Sequence, residues 1–335
     1  MKLQFLIPHY HETADVIKPL LDSIAIQQNV DFSEIGVIIC HDGEDIKEFC
    51  FSDGLRLCEG MTLPDYYPFE IEQIHIPHSG VSAARNGALD AATADYVMFC
   101  DADDMFYNAC GLWIIFREIE NGGFDGLISV FVEESRHPRT NEVIYLNHEN
   151  DNTFVHGKVW NRSFLTTHKI RWNDKLTIHE DSYFNMLAMS MSKNSKLCAT
   201  PFYLWKWRDE SVCRHDPKYI LKTYRNMLDS NDALVDELVS RGLGAQAAGL
   251  VVFMVFDAYY TLNKPEWVNQ ENQEYRMNTE RHFGSYFRKH RKQWDSVSDQ
   301  DKMQVSAGVR NRSVMEGMQM ERQTITEWLE HIERL

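Results

Sequence analysis

Three near-continuous apolar runs, LQFLIP (3–8), IGVIIC (35–40) and YVMFC (96–100), are separated by segments with the spacing of helices. An apolar run without alternation is a strand buried on both faces, and such strands occur where helices cover both sides of a parallel sheet. The intervening segments fit. Val16, Leu20, Leu21 and Ile24 share one face of a helix over 15–27, SAARNGALDAAT (82–93) reads as a second helix, and FEIEQIHIP (69–77) supplies a further strand through Phe69, Ile71, Ile74 and Ile76. The chain is therefore expected to be α/β, with a mixed, mainly parallel sheet flanked by helices. In open sheets of this kind ligands bind beyond the carboxyl ends of the strands. That places 8–11, 41–45 and 101–104 at the candidate site.

After a helix near 109–121, two strands are expected at 125–135 and 141–149, followed by FVHGKVWNRSFL (154–165) and a helix over 178–191 whose first turn carries Glu180 and Asp181. Acids in that turn are favourable against the helix dipole. From about Pro217 the strand pattern stops and long helical runs take over. Two domains are expected, 1–216 with the sheet and a C-terminal all-α region, 217–335. The most apolar segment, AGLVVFMVF (248–256), is closed by Asp257 and too short for a membrane span, so it reads as a buried helix.

The chain has 50 acids against 34 Lys and Arg, a formal net charge of -16, which disfavours a broad footprint on a phosphate backbone. One basic cluster, Arg281, Arg288, Lys289, Arg291 and Lys292, is the exception, and a solvated helix face is its plain explanation. Seven cysteines, odd in number and never in a C-x-x-C pair, indicate neither a disulfide framework nor a zinc site. No signal peptide precedes the first strand-like segment, and a reducing cytoplasm is the expected location.

The third strand ends in FCDADDMF, with carboxylates at Asp101, Asp103 and Asp104. Adjacent carboxylates leaving a buried strand need a cation, amide donors or water to offset their repulsion and desolvation. Hard divalent ions such as Mg2+ or Mn2+ take carboxylate oxygens and commonly share their shell with phosphates. For Asp104 a helix N-cap is an equally simple role.

Together with its neighbours this motif resembles the family-two inverting glycosyltransferases of GT-A fold. LIPHYHE (6–12) resembles the family's first-strand motif, LDSIAIQ ending at Gln27 its helix, and ICHDGED (39–45) its Asp-Gly-Ser turn; SGVSAARNGAL (79–89), the Asp-x-Asp at 101–103 and HED (179–181) follow in the family's order. The likeness spans roughly 3–215. It implies a GT-A, Rossmann-like fold and transfer of a sugar from a nucleotide-sugar donor, a UDP-sugar first, with Mn2+ or Mg2+ as cofactor.

Residue by residue, the resemblance implies that backbone at Pro8 and the Asp42 carboxylate hold the base, and that Arg85 sits near base and diphosphate. Asp103 would be the leading metal ligand, with Asp101 on the ribose or the metal's shell. Asp181 would be the general base and Glu180 its orienting partner. Arg208 and Ser211, from YLWKWRDESVCRH (203–215), would close over the diphosphate, and His215 would complete the metal shell. Lys158, Trp160 and Asp104 are expected on the acceptor side. His11, His41 and Glu44 depart from the family's usual Asn, Asp and Ser, and Glu44 is expected to point away from the diphosphate.

The implied acceptor is a glycan or cell-surface polymer precursor, with protein or a modified nucleobase of DNA as alternatives. A nucleotidyltransferase would need a glycine-rich phosphate loop after the first strand, where the chain reads PHYHETAD. A non-catalytic nucleotide-sugar-binding module would not need Asp101, Asp103, Arg85 and Asp181 together. The apolar stripe Met315, Met318, Ile325, Trp328, Leu329 and Ile332 is expected to pack on the catalytic domain, with a homo-dimer as the alternative.

Overall fold

Four adjacent parallel strands form one half of the sheet: β1 (Leu3–His9), β2 (Ile35–Asp42), and, beyond a short hairpin of β3 (Glu48–Cys50) and β4 (Arg56–Cys58), β5 (Glu70–Ile76) and β6 (Tyr96–Phe99). In this computed structural model residues 1–43, 67–208, 218–315 and 324–335 are described, with the backbone of those two hairpin strands. Glu44, Ser211 and His215 lie outside the described residues. Two compact units make up the chain, Met1–Asp209 and Glu210–Leu335.

The first unit carries a nine-stranded sheet of order β5-β2-β1-β6-β10-β8-β11-β7, with β9 on β8. Its further strands are β7 (Met105–Phe106), β8 (Gly126–Arg136), β9 (Val143–His148), β10 (Lys158–Asn161) and β11 (Ser195–Trp205). β1 and β2 are buried at nearly every position, as their unbroken apolar runs require. Helices α1 (Ala14–Ala25), α2 (Val81–Ala91), α3 (Gly111–Glu120), α4 (Arg162–Thr167) and α5 (Glu180–Met191) connect them. Gln27 holds α1 to the start of α3, donating to the carbonyls of Ser23 and Asn108 and accepting from the Leu112 amide.

Two features depart from the sequence expectation. The strand β11 was not legible: none of its first seven residues is buried, and its pairing with β8 shifts register between Cys198 and Tyr203. Asp104 is followed by β7 and not by a helix, so it caps nothing.

Trp160 is also not where the sequence placed it. It lies on β10, a four-residue strand paired antiparallel on both sides, and it is 1% exposed. Its ring stacks on Phe164 and meets Phe184 edge-on, and it occupies the space over Gly126, where an added Cβ would come within 2.5 Å of it. A ring so enclosed supports the sheet and cannot face an acceptor.

The second unit is helical: α6 (Tyr219–Ser240), α7 (Gly244–Thr261), α8 (Pro265–Val268), α9 (Gln273–Lys289), α10 (Arg291–Asp295), α11 (Asp299–Met315) and α12 (Ile325–Glu333). The apolar 248–256 segment lies in α7, packed against α6 and α11, with Val251, Val252, Met254, Val255 and Phe256 buried. Its Asp257 accepts from Tyr224 at 2.7 Å and pairs with Arg312. Among the described residues no helix is long and apolar enough to cross a membrane.

Trp328 and Ile332 of α12 are buried, Trp328 against Phe283. Two members of the basic cluster are matched by acids: Lys289 contacts Asp232 and Asp236, and Arg291 contacts Asp295 and Glu333. Charge spent on such pairs is not offered to phosphates.

Trp160→Ala should cost about 3–5 kcal/mol of stability, the usual loss on truncating a buried aromatic. Chemical denaturation checks this; a loss under ~1 kcal/mol would show that the ring is not part of the core.

Candidate active site

The strand exits converge as the parallel topology requires. Asp42, at the end of β2, is 2% exposed, and its carboxylate accepts from the amides of Ser79 (2.6 Å) and Gly80 (2.9 Å) and faces His78 Nδ1 at 3.0 Å. It thus anchors the start of α2 from another strand, where the helix dipole favours a negative charge. Gly80 suits that place, since its φ of +92° is in the left-handed region that glycine enters without strain. Pro8 pairs with Cys40, and in the next register His9 faces His41.

That register brings two imidazoles together: His41 Nδ1 is 2.9 Å from His9 Nδ1, and His41 Nε2 is 3.1 Å from Gln73. Burial, and then the neighbouring His9, push His41 down to about 4, so it is neutral near pH 7. The pair was not foreseen, although aligning the ends of the first two strands would have revealed it.

Arg85 is the centre of the acidic cluster. From α2 its guanidinium donates to Asp101 Oδ1 at 2.8 Å and Glu180 Oε1 at 2.9 Å, and it lies 4.4 Å from the centre of the Trp172 ring. Its side chain is only 5% exposed, so it is a buried fork holding two acids and not a helix-surface residue. Burial alone would raise the Asp101 carboxyl, but the guanidinium holds it below the usual carboxylate range.

The three acids at the end of β6 have different surroundings. Asp103 pairs with Arg208 at 3.0 Å and is about a third exposed, and burial with the nearby Asp101 raises its carboxyl. Asp104 is fully buried; it accepts from Tyr203 Oη at 2.8 Å and the Lys206 amide at 3.0 Å, and burial, then Asp103 and Asp101, push it well above the carboxylate range. Such a carboxyl joins β11 to the acidic exit and has no surface to offer an acceptor.

Asp181 and Glu180 open α5. The residue before them, His179, has φ 64°, a left-handed conformation that a non-glycine residue adopts at a cost. Asp181 accepts from the Ser182 amide at 2.7 Å, and burial followed by the like charge of Glu180 raises its pKa to about 7. Lys158 is 1% exposed; it donates to the Phe154 carbonyl at 2.5 Å and lies 3.3 Å from Asp151, so it secures the loop before β10, with burial lowering its pKa.

A description of this arrangement already exists among known proteins: residues 5–193, more than half of the chain, match the model of glycosyl transferase family 2. The chain belongs to that family. It is 32% identical over 110 residues to the succinoglycan biosynthesis protein ExoM of Rhizobium meliloti (strain 1021), covering 33% of this chain and 32% of that protein. It is 25% identical over 218 residues to the uncharacterized glycosyltransferase EpsJ of Bacillus subtilis (strain 168), covering 58% and 63%. The chain thus spans less than two thirds of either relative.

Among solved structures, S. aureus TarS 1-349 in complex with UDP-GlcNAc superposes with a TM-score of 0.61 at 15% identity, covering 95% of this chain and 93% of that one. The same fragment without that ligand gives 0.60 at 14%, covering 94% and 92%. These likenesses show the fold. This family member has the GT-A fold with a helical C-terminal region.

Removing the fork cation should be costly: Arg85→Met leaves Asp101 and Glu180 facing each other without it, a change worth about 3–5 kcal/mol when a buried pair loses one partner. Urea unfolding at neutral pH measures this, and wild-type stability in Arg85→Met would contradict the reading of Arg85 as the centre of the cluster.

Proposed function

We propose that this glycosyltransferase moves a sugar from a nucleotide-sugar donor, a UDP-sugar first, to an acceptor hydroxyl with inversion at the anomeric carbon. The observation that carries the reading is Asp181, a carboxylate at the first turn of α5 whose pKa rises to about 7 beside a fork of fixed charge. A general base works best when its pKa lies near the operating pH. The acceptor oxygen attacks the anomeric carbon, the bond to the diphosphate oxygen breaks with its electron pair, and the hydroxyl proton passes to Asp181. Glu180, bound to Arg85, holds the start of α5 and so the direction of that carboxylate.

A divalent cation, Mn2+ or Mg2+, would neutralise the charge on the departing diphosphate. The carboxylate donors fit such an ion, and Asp103 is the residue that would hold it on the donor side, with Asp101 reaching the ribose or the ion's waters. Arg208 stands beside Asp103 for the diphosphate. Asp42 acts on the nucleotide chiefly by fixing the Ser79–Gly80 turn, and the β1 exit at Pro8 lines the base. Support for UDP comes from the TarS fragment, which was crystallised with UDP and with UDP-GlcNAc. Support for a glycan acceptor comes from the ExoM relative, named for succinoglycan biosynthesis. The net charge of -16 favours such an acceptor over DNA.

Asp181→Asn should abolish transfer, a loss of about 100-fold or more, while UDP affinity stays near wild type; calorimetric titration with UDP alongside a transfer assay separates the two. Because the base must be ionised, kcat/KM should fall as pH drops through about 7. A rate that rises on acidification would exclude Asp181. Asp42→Ala, which releases the Ser79 and Gly80 amides, should weaken UDP binding about tenfold or more, the loss of a charge-assisted anchor; an unchanged dissociation constant would remove Asp42 from the donor site.

A further inference from the structure

On the buried side of the acidic strand exit, Asp101, Asp104 and His156 each present one donor atom, and these atoms lie within 4.8 Å of one another. His156 comes from the loop before β10, far along the chain from the acids. It is 3% exposed, its Nδ1 makes no hydrogen bond, and that atom sits 3.4 Å from Asp104 Oδ2. A buried nitrogen without a hydrogen bond normally calls for a partner.

The ring is also held in place. It stacks on Phe154, Tyr203 and Trp205, with centroids 5.7, 5.3 and 4.9 Å away, and Phe131 meets it edge-on at 5.1 Å. Asp104 is oriented by Tyr203 and the Lys206 amide, and Asp101 by Arg85. Bonds that orient the donors in this way are characteristic of metal ligands. The charge balance points in the same direction: Asp101, Asp103, Asp104, Glu180 and Asp181 meet here, against the guanidinium groups of Arg85 and Arg208 paired with them and the ammonium of Lys158, which pairs with Asp151. Asp101, whose side chain is 31% exposed, leaves a path from solvent.

We propose that Asp101, Asp104 and His156 form a divalent-cation site that is filled without nucleotide and lies on the inner side of Asp103. Two carboxylates with one imidazole suit Mn2+ or another transition ion better than Mg2+, which prefers an all-oxygen shell. The site rests on geometry alone and does not depend on the transfer reaction. Asp103, drawn toward Arg208, is not one of its ligands.

The test uses the full chain with Mn2+ alone, no nucleotide present. Calorimetry should show one Mn2+ per chain, weakened about tenfold or more in His156→Gln and in Asp104→Asn, the scale of loss when a metal site is disturbed, and changed less than about twofold in Asp103→Asn. Electron spin-echo modulation of the Mn2+-loaded chain should show an imidazole nitrogen in the wild type and equally in His290→Gln, which breaks the separate cluster of Asp232, Asp236 and His290, but not in His156→Gln. Absence of that nitrogen signal from the wild type, or Mn2+ affinity that falls in Asp103→Asn and persists in His156→Gln, would overturn the site.

Discussion

The Arg85 fork is the interaction on which the rest of the site depends. Acids from the end of β6 and the start of α5 approach each other in a largely buried region, and without a cation between them each would resist desolvation and repel the other. One guanidinium on α2 meets both, since its planar set of donors can serve two carboxylates at once where a lysine ammonium is a point charge. Its hydrogen bonds fix Asp101 and Glu180, and through Glu180 the neighbour Asp181 is held in a setting that keeps its proton affinity near neutrality.

Much of this was legible because strand exits in a parallel sheet must come together. The apolar runs of β1, β2 and β6 identify the strands, and the acids and histidines at their ends follow from chain order. Roles within the cluster were harder to read. The sequence places Asp101, Asp103 and Asp104 side by side, yet one is held by Arg85, one faces Arg208 and one is buried under Tyr203. Those differences depend on side chains up to about a hundred positions away, and no local pattern carries them.

The segment around β10 misleads for a related reason. HGKVWN looks like a loop rich in functional side chains, but a strand paired on both sides is enclosed whatever its residues, so Trp160 becomes core and Lys158 a buried clamp. His156 gave no signal in the sequence, because its neighbours are supplied by β8 and β11. The strand β11 was missed for want of alternation, and with it went Tyr203, which reaches both Asp104 and the Asp101 amide.

Helix α2 is tied at both ends of its first turns. Its start is anchored by Asp42 from β2, and one turn later Arg85 grips β6 and α5. The sides proposed for the nucleotide and for the proton acceptor are therefore joined by a single short helix. Free energy exchanged between them is reciprocal: whatever a donor gains by settling the Ser79–Gly80 turn is returned, in equal measure, as a change in how firmly the far carboxylates are set. On the proposed function, the order in which donor and acceptor bind becomes a property of one helix.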